Sequence, residues 1–316
     1  MTSSTEAPES AADETPPIGR RRALLLVNRK ARNGSAPIDA ALDVLRQGGF
    51  DVEEMSCEQA GDLGRTVRKR AASVDCVIVG GGDGTLNCTA PALIATGLPL
   101  GILPLGTAND LARTLNIGPD PVAAAQVIVD GHERRIDLGE VNGHPFFNVA
   151  SIGFSAELAR ELTSEMKRRF GKLGYAVASA RLLARMRPFT AFIEHDGRTE
   201  RVRTLQIGVG NGRYYGGGMT VDATAQPDDG VFHVYSLELD HWWRLVALVP
   251  WLRRGTHGSW RDVRAFTTSQ ITVRTRRARS VNTDGELTSA TPAVFKILPR
   301  AVRVYAPRPA TSETPR

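Results

Sequence analysis

Residues 80–87 read GGGDGTLN, directly after the segment Asp75-Cys76-Val77-Ile78-Val79. That segment is short, apolar and rich in β-branched residues, the pattern of a strand buried in a parallel sheet. Beyond the glycines, Leu86, Ala90, Leu93 and Ile94 recur at helical spacing. The glycines therefore occupy a strand-to-helix turn. Without Cβ atoms the backbone can fold tightly there and let a ligand approach its amides. Successive N–H groups and the positive end of the following helix favour an anion, and phosphate is the natural guest. A carboxylate at Asp83 is repelled by phosphate unless a divalent cation or ordered water lies between them. The plainer reading is a tight turn with Asp83 as a local cap. The run is neither the GxxxxGK nucleotide loop nor the full GxGxxG fingerprint.

The N-terminal half repeats this strand-turn-helix pattern. Strands are expected at 23–28, 51–56, 75–79 and 98–103, and helices at 37–48, 62–72 and 86–96,. Short connections between alternating strands and helices give a doubly wound parallel sheet, which binds ligands at the carboxyl ends of its strands. Asn28, Ser56, Asp83 and Thr107 fall at or near those ends. A second glycine-containing turn, PLGTAND at 104–110, follows the fourth strand. Thr107 offers a hydroxyl there, and Asn109 or Asp110 either caps the next helix or faces the ligand. A second carboxylate on the same sheet edge favours a shared cation.

At 316 residues, 41% hydrophobic, the chain is long enough for two domains with substantial cores,. A net charge of +6 suits phosphate-bearing ligands, anionic membrane surfaces or nucleic acid,. No aromatic stacking platform or nucleic-acid reading motif accompanies it, so nucleic acid is not the expected partner. Cys57, Cys76 and Cys88 give no disulfide framework and no zinc spacing,. With no apolar run long enough to cross a bilayer and no signal-peptide core, the expected location is cytoplasmic. Residues 1–19 and 308–316 read as disordered tails.

The second half changes character. Strands are expected at 190–195, 201–208, 231–237, 265–273 and 293–298, with turns at Asp196-Gly197 and Asp229-Gly230,. Two helical stretches lie between. Residues 163–187 carry seven Lys and Arg, which either attract anionic lipid or are simply solvated,. Residues 240–254 combine Trp242, Trp243 and Trp251 with Arg244, Arg253 and Arg254. Indoles and cations suit a membrane interface, but the reading adopted is an amphipathic helix packed on the sheet.

GGDGTLN at 81–87 followed by PLGTAND at 104–110 resembles the diacylglycerol kinase catalytic domain family, in its bacterial YegS-like branch of lipid kinases. NVASIGFSAE at 148–157, GVGNGRYYGGG at 208–218, VDATAQPDDGVFHV at 221–234 and NTDGE at 282–286 are similar to that family's later motifs. The resemblance covers about residues 23–307. It departs at 28–34, NRKARNG, where the family has N-P-x-S-G.

The resemblance implies an α/β nucleotide-binding domain at 20–145, a β-sandwich lipid-substrate domain at 146–307, and an active site in the cleft between. It implies an ATP- and Mg²⁺-dependent kinase acting on a lipid of the diacylglycerol or phosphatidylglycerol class. Nucleotide contacts are implied at Asn28, Ser56, Gly80, Gly81, Gly82, Asp83, Gly84, Thr85, Asn87, Gly106, Thr107 and Asn109. Glu286 is implied as proton acceptor, with Asp83 and Asp284 catalytic beside it. Asp83, Asp110 and Asp137 correspond to the family's acidic network near Mg²⁺, and Gln226, Asp229 and Val231 to a structural Mg²⁺ site. On residues alone, Asp284 and Glu286 read equally well as solvated acids of a hairpin, and Asp228-Asp229-Gly230 as an ordinary β-turn. Peripheral, transient contact with the inner face of the membrane is expected, and a homodimer is left open. The alternatives are a kinase of a soluble acceptor, such as an NAD kinase, and a nucleotide-binding regulator without catalysis.

Overall fold

The computed structural model describes residues 20–27, 36–56, 60–161, 182 and 184–308. The tail expected at 1–19, most of that at 308–316, Asn28, and most of the basic stretch 163–187 lie outside them. Four strands, β1 (Arg21–Val27), β2 (Phe50–Ser56), β3 (Cys76–Gly81) and β4 (Leu100–Pro104), run parallel in the order β2-β1-β3-β4. They are joined by α1 (Ala36–Gln47), α2 (Ala60–Arg70) and α3 (Asp83–Thr96). β3 and β4 are buried throughout, as uninterrupted apolar runs require when both faces of a sheet are covered,. Strand order reverses between β1 and β3, so a crevice opens at their carboxyl ends. There α3 begins three residues earlier than its apolar spacing indicates, which puts Asp83 in its first turn. After β4 come α4 (Asp110–Thr114) and α5 (Pro121–Asp130). Asp120 caps α5 by accepting from the N–H groups of Val122 and Ala123,.

The second half is a sandwich of two antiparallel layers. β5 (Glu133–Val141), β6 (His144–Phe146), β8 (Phe189–His195), β9 (Arg198–Thr204), β15 (Gln270–Thr275) and β18 (Ala293–Tyr305) extend the first sheet to ten strands. A six-stranded sheet faces them, made of β7 (Val149–Gly153), β10 (Gln206–Gly210), β13 (Phe232–Leu237), β14 (Val263–Thr268), β16 (Ser280–Thr283) and β17 (Glu286–Ala290). Phe146, Phe232, Phe295, Ile207 and Ile271 fill the space between the layers. β11 (Tyr214–Tyr215) and β12 (Met219–Thr220) form a small hairpin, and α6 (Phe154–Glu161), α7 (Trp242–Arg254) and a short 3₁₀ turn (His257–Ser259) complete the described elements. The expected class, a parallel α/β sheet followed by a β-sandwich, is the class found.

Two strands expected as single runs are each broken between sheets. Residues 201–208 fall into β9 and β10, and 265–273 into β14 and β15, with each pair split between the two layers. One device makes both breaks. In Thr204-Leu205-Gln206 the threonine hydroxyl donates to the glutamine carbonyl at 2.8 Å and accepts from its N–H at 3.2 Å. Thr268-Ser269-Gln270 repeats this at 3.0 and 3.4 Å. A side chain that bonds both backbone groups of the residue two positions on competes locally with the regular ladder, and the strand can change direction there.

The strand expected at 293–298 runs on to Tyr305. Its register shifts between Leu298 and Val302, and beyond the shift Val302, Val304 and Tyr305 enter the core of the first half. Val304 pairs with Leu100 of β4. The end of the chain thus closes the N-terminal core. Burying two valines and a tyrosine stabilises by about 5 kcal/mol, a large share of an ordinary domain's total. A chain ending at residue 300 is therefore expected to unfold at a much lower urea concentration than the full chain. An unchanged midpoint would show that this last strand is dispensable to the first core.

Candidate active site

The two glycine turns touch backbone to backbone. A Cβ on Gly106 would lie 2.5 Å from the Gly82 Cα, so neither turn tolerates a side chain at the contact,. The Leu105 N–H donates to the Gly81 carbonyl at 3.0 Å. Asn109, at φ +51°, brackets Gly106 by accepting from its N–H at 2.9 Å and donating to its carbonyl at 3.0 Å. Asn109 is thus the lock of the second turn. Gly80 and Gly81 are the buried end of β3. Their missing Cβ atoms make room for Val27 and for Thr85, at 2.9 and 2.7 Å, so packing requires glycine at both positions. Gly82 heads α3 without a side-chain cap, which leaves the first-turn N–H groups without a side-chain acceptor,.

Asp83 has a reason of its own to stand in that turn. Its Oδ1 accepts from the Leu111 N–H at 3.0 Å and so caps α4,. The Asn148 amide lies 3.5 Å from the same oxygen. Asp110 accepts from the Gly217 N–H with both carboxylate oxygens, at 3.0 and 3.2 Å, which ties the β11–β12 hairpin to the second turn. The expected triple of Asp83, Asp110 and Asp137 is not assembled. Asp137 accepts from the Gly230 and Arg300 N–H groups at 2.9 and 2.7 Å. It fastens the register shift of β18 to the 226–231 loop, so it belongs to the scaffold. Among the described residues no group of three or more His, Cys, Asp or Glu is arranged for a metal.

Oxygen donors for a hard cation are nonetheless present. Among the described residues, Asn87 Oδ1 and Asn148 Oδ1 are buried without a hydrogen-bond partner. Asn87 lies four residues after Asp83 and shares its helix face, and Asn148 reaches Asp83 directly. A buried unpaired amide oxygen costs about 1–3 kcal/mol, and carboxylate and amide oxygens are the hard donors Mg²⁺ takes; Asn148 meets Asp83 through its N–H, with its own oxygen beside Gly212. Asn148 opens the 148–157 motif, and its orphaned oxygen is visible only in the fold. At the second expected metal site, Asp229 is already satisfied by the Gln226 and Val231 N–H groups and by His233 Nε2 at 2.9 Å. Burial opposes ionisation of Asp229, but these donors hold its carboxyl below the ordinary value. These hydrogen bonds close the loop around the Asp229 carboxylate.

The other wall comes from the sandwich. β16 and β17 are joined by Asp284-Gly285, at φ +49° and +99°, the left-handed pair of a tight hairpin. The Asp284 carboxylate accepts from the N–H groups of Phe147, Asn148 and Val149 at 2.7, 3.0 and 3.1 Å. Asp284 is therefore a positioning residue, which pins this hairpin to the turn before β7. Directly after it, Glu286 is exposed and faces the first glycine turn. A Cβ on Gly84 would lie 3.4 Å from Glu286 Oε1. Ser56 ends β2 at the same sheet edge and is exposed. Thr107 lines a cavity of about 680 Å³ with Gly106, Asn109, Arg113 and Tyr214, a volume in the range of small-molecule sites. Arg113 carried no sequence signal, and Tyr214 stood inside the 208–218 motif without a role.

Residues 22–141 match the profile of the diacylglycerol kinase catalytic domain, and 148–306 that of the YegS C-terminal NAD kinase beta sandwich-like domain. A Mycobacterium tuberculosis protein named diacylglycerol kinase is 33% identical over 294 residues, 90% of this chain and 94% of its own length. A Pseudomonas aeruginosa protein named probable lipid kinase YegS-like is 33% identical over 305 residues, 93% of this chain and 98% of its own. The crystal structure of a diacylglycerol kinase from Bacillus anthracis superposes with a TM-score of 0.75 at 25% identity, covering 92% of this chain and 98% of that one.

Two carboxyls at the site titrate upward. Burial lifts Asp110 to about 6 against the pull of the Gly217 N–H, and the Asp83 charge adds to the rise. Burial lifts Asp284 to about 7 despite its amide donors, and Asp83 again adds to the rise. An acid whose folded pKa exceeds its unfolded value binds more protons when folded. Its stabilising contribution is complete below the unfolded value of 3.8 and is lost as pH rises through about 6 for Asp110 and about 7 for Asp284. Denaturant midpoints are therefore expected to fall from about pH 4 to about pH 7 and to level off above,. Asp110→Asn is expected to make the fall between about pH 4 and pH 6 shallower, and a variant with the wild-type profile would refute the assignment.

Proposed function

This chain belongs to the diacylglycerol kinase family, in its YegS-like branch, and on that premise we propose that it transfers the γ-phosphate of ATP to a hydroxyl of a membrane lipid, with Mg²⁺. The acceptor is a lipid of the diacylglycerol or phosphatidylglycerol class. The observation that carries this reading is Glu286, an exposed carboxylate held over Gly84 at the head of α3.

Phosphoryl transfer needs the donor phosphates held, their charge neutralised and the acceptor deprotonated in line. The uncapped N–H groups at the head of α3 bind phosphate oxygens, aided by the helix dipole,. Asp83, with the amide oxygens of Asn87 and Asn148 near it, would hold Mg²⁺, which would supply neutralisation of phosphate charge,. Glu286 accepts the hydroxyl proton as the lipid oxygen bonds to phosphorus and the bond to ADP breaks. Gly84 has no Cβ to obstruct that approach. Asp284 keeps Glu286 aimed, because its three amide bonds fix the hairpin to the turn at 147–149.

The likeness of residues 148–306 to an NAD kinase sandwich keeps a soluble acceptor as the second reading. The test is transfer of radiolabelled γ-phosphate with Mg²⁺ to mixed micelles of several lipids, with NAD in a parallel reaction. One labelled lipid class is expected. NADP formation without a labelled lipid would replace this reading with the second. Glu286→Gln is expected to lower turnover about a hundredfold to ten-thousandfold at an unchanged unfolding midpoint. Full activity in the folded variant would remove Glu286 as the base.

A further inference from the structure

Helix α7 buries one apolar face and presents another to solvent. Leu245, Leu248 and Leu252 point inward, onto Tyr235, Leu237 and Val263 at the back of the six-stranded sheet. That inner face is the packing expected of an amphipathic helix. The opposite face is not the polar one such a helix should have. Trp243 is 56% exposed, Val246 53% and Trp251 37%, and Ala247 and Pro250 are exposed among them. Of the six large hydrophobic side chains exposed among the described residues, three stand on this one helix face. Isolated exposed apolar residues are ordinary, but a contiguous row backed by tryptophan marks a surface that meets something.

The charges around the row indicate what it meets. The helix contains no Asp or Glu, and the exposed Arg253 and Arg254 end the apolar face at its C-terminus. Arg244, at the flank, is paired with Asp262. Trp243 stacks on His241 at 6.3 Å, and Trp251 meets Trp260 edge-on at 5.0 Å, so both indoles are held in place before any encounter. Fixed indoles beside two arginines that form no ion pair among the described residues suit a shallow seat at the headgroup level of an anionic bilayer.

The helix is also wired to the candidate site. The Thr220 hydroxyl donates to the Arg253 carbonyl at 3.1 Å. Thr220 belongs to the β11–β12 hairpin, and that hairpin's turn supplies the Gly217 N–H to Asp110. Leu111, the residue after Asp110, donates its N–H to Asp83.

We infer that the outward face of α7, built on Trp243, Val246 and Trp251 with Arg253 and Arg254 at its end, seats the protein on an anionic lipid surface. The choice of a bilayer over a protein partner rests on the lipid acceptor proposed above. Co-sedimentation of the full chain with phosphatidylserine–phosphatidylcholine vesicles, without ATP, tests it. The wild-type chain is expected to bind, and more weakly as salt rises. The double variant Trp243→Ser and Val246→Ser is expected to bind at least tenfold less at an unchanged unfolding midpoint. The pair Arg253→Glu and Arg254→Glu, a charge reversal that leaves the indoles in place, is expected to lose at least as much. Absence of wild-type binding overturns the inference, as does wild-type affinity in either variant. A dimer that the first variant converts to monomer assigns the face to a second copy of this chain and also overturns it. The kinase reading is judged separately, by transfer to a short-chain, water-dispersed diacylglycerol that needs no vesicle. Vesicle binding lost in the variants, with no lipid labelled by the wild type, would leave the docking face standing and the kinase reading fallen.

Discussion

The contact between Gly82 and Gly106 sets the distance between the two turns at the edge of the parallel sheet. Because neither residue has a Cβ, the backbones meet directly, and α3 and α4 start side by side. Only at that spacing can Asp83, in the first turn of α3, reach the Leu111 N–H and cap its neighbour. Its charge then stands where the uncapped head of α3 would receive an anion,. The family's glycine-aspartate-glycine turn is in this chain as much a piece of carpentry as a ligand cradle.

A common principle runs through the acidic residues of the site. Asp83, Asp110, Asp137, Asp229 and Asp284 each accept hydrogen bonds from backbone N–H groups distant from their own strand or within their own loop. A carboxylate that satisfies amides can join two segments that share no ladder. Asp284 joins the hairpin at 284–285 to the turn before β7, and Asp137 joins the shift in β18 to the loop at 226–231. Glu286 is the exception, exposed and aimed across the cleft at Gly84, which is why the proposed reading gives it the proton-accepting role.

The sandwich and the parallel sheet are mechanically one body. The ten-stranded sheet carries both, and β18 threads from the sandwich core into the N-terminal core. The cleft between Gly84 and Glu286 is therefore bounded by walls that share a sheet, and the threonines that send strands from one layer to the other hold the second wall in shape. Lipid-surface docking through α7, on the far side of the six-stranded layer, would act on the site through the β11–β12 hairpin.

Local information in the sequence determined the parallel half of the fold. Unbroken apolar runs specify buried strands, glycines specify the turns, and helical spacing specifies α1 to α3, because each signal lies within a dozen residues. The same local logic, with the family resemblance, marked Asp83, Thr107, Asn109 and Glu286. Tertiary structure decided what depended on partners distant in the chain. Whether a carboxylate is a ligand or a staple depends on which amide meets it, and for Asp137 that amide belongs to Arg300, 163 residues on. Asn148 became part of the site only because the sandwich brings its amide against Asp83. The split of two strands between sheets was hidden because Thr-x-Gln keeps the alternation of a continuous strand. The outward tryptophans of α7 were hidden because helical spacing gives two faces and cannot say which one the protein covers.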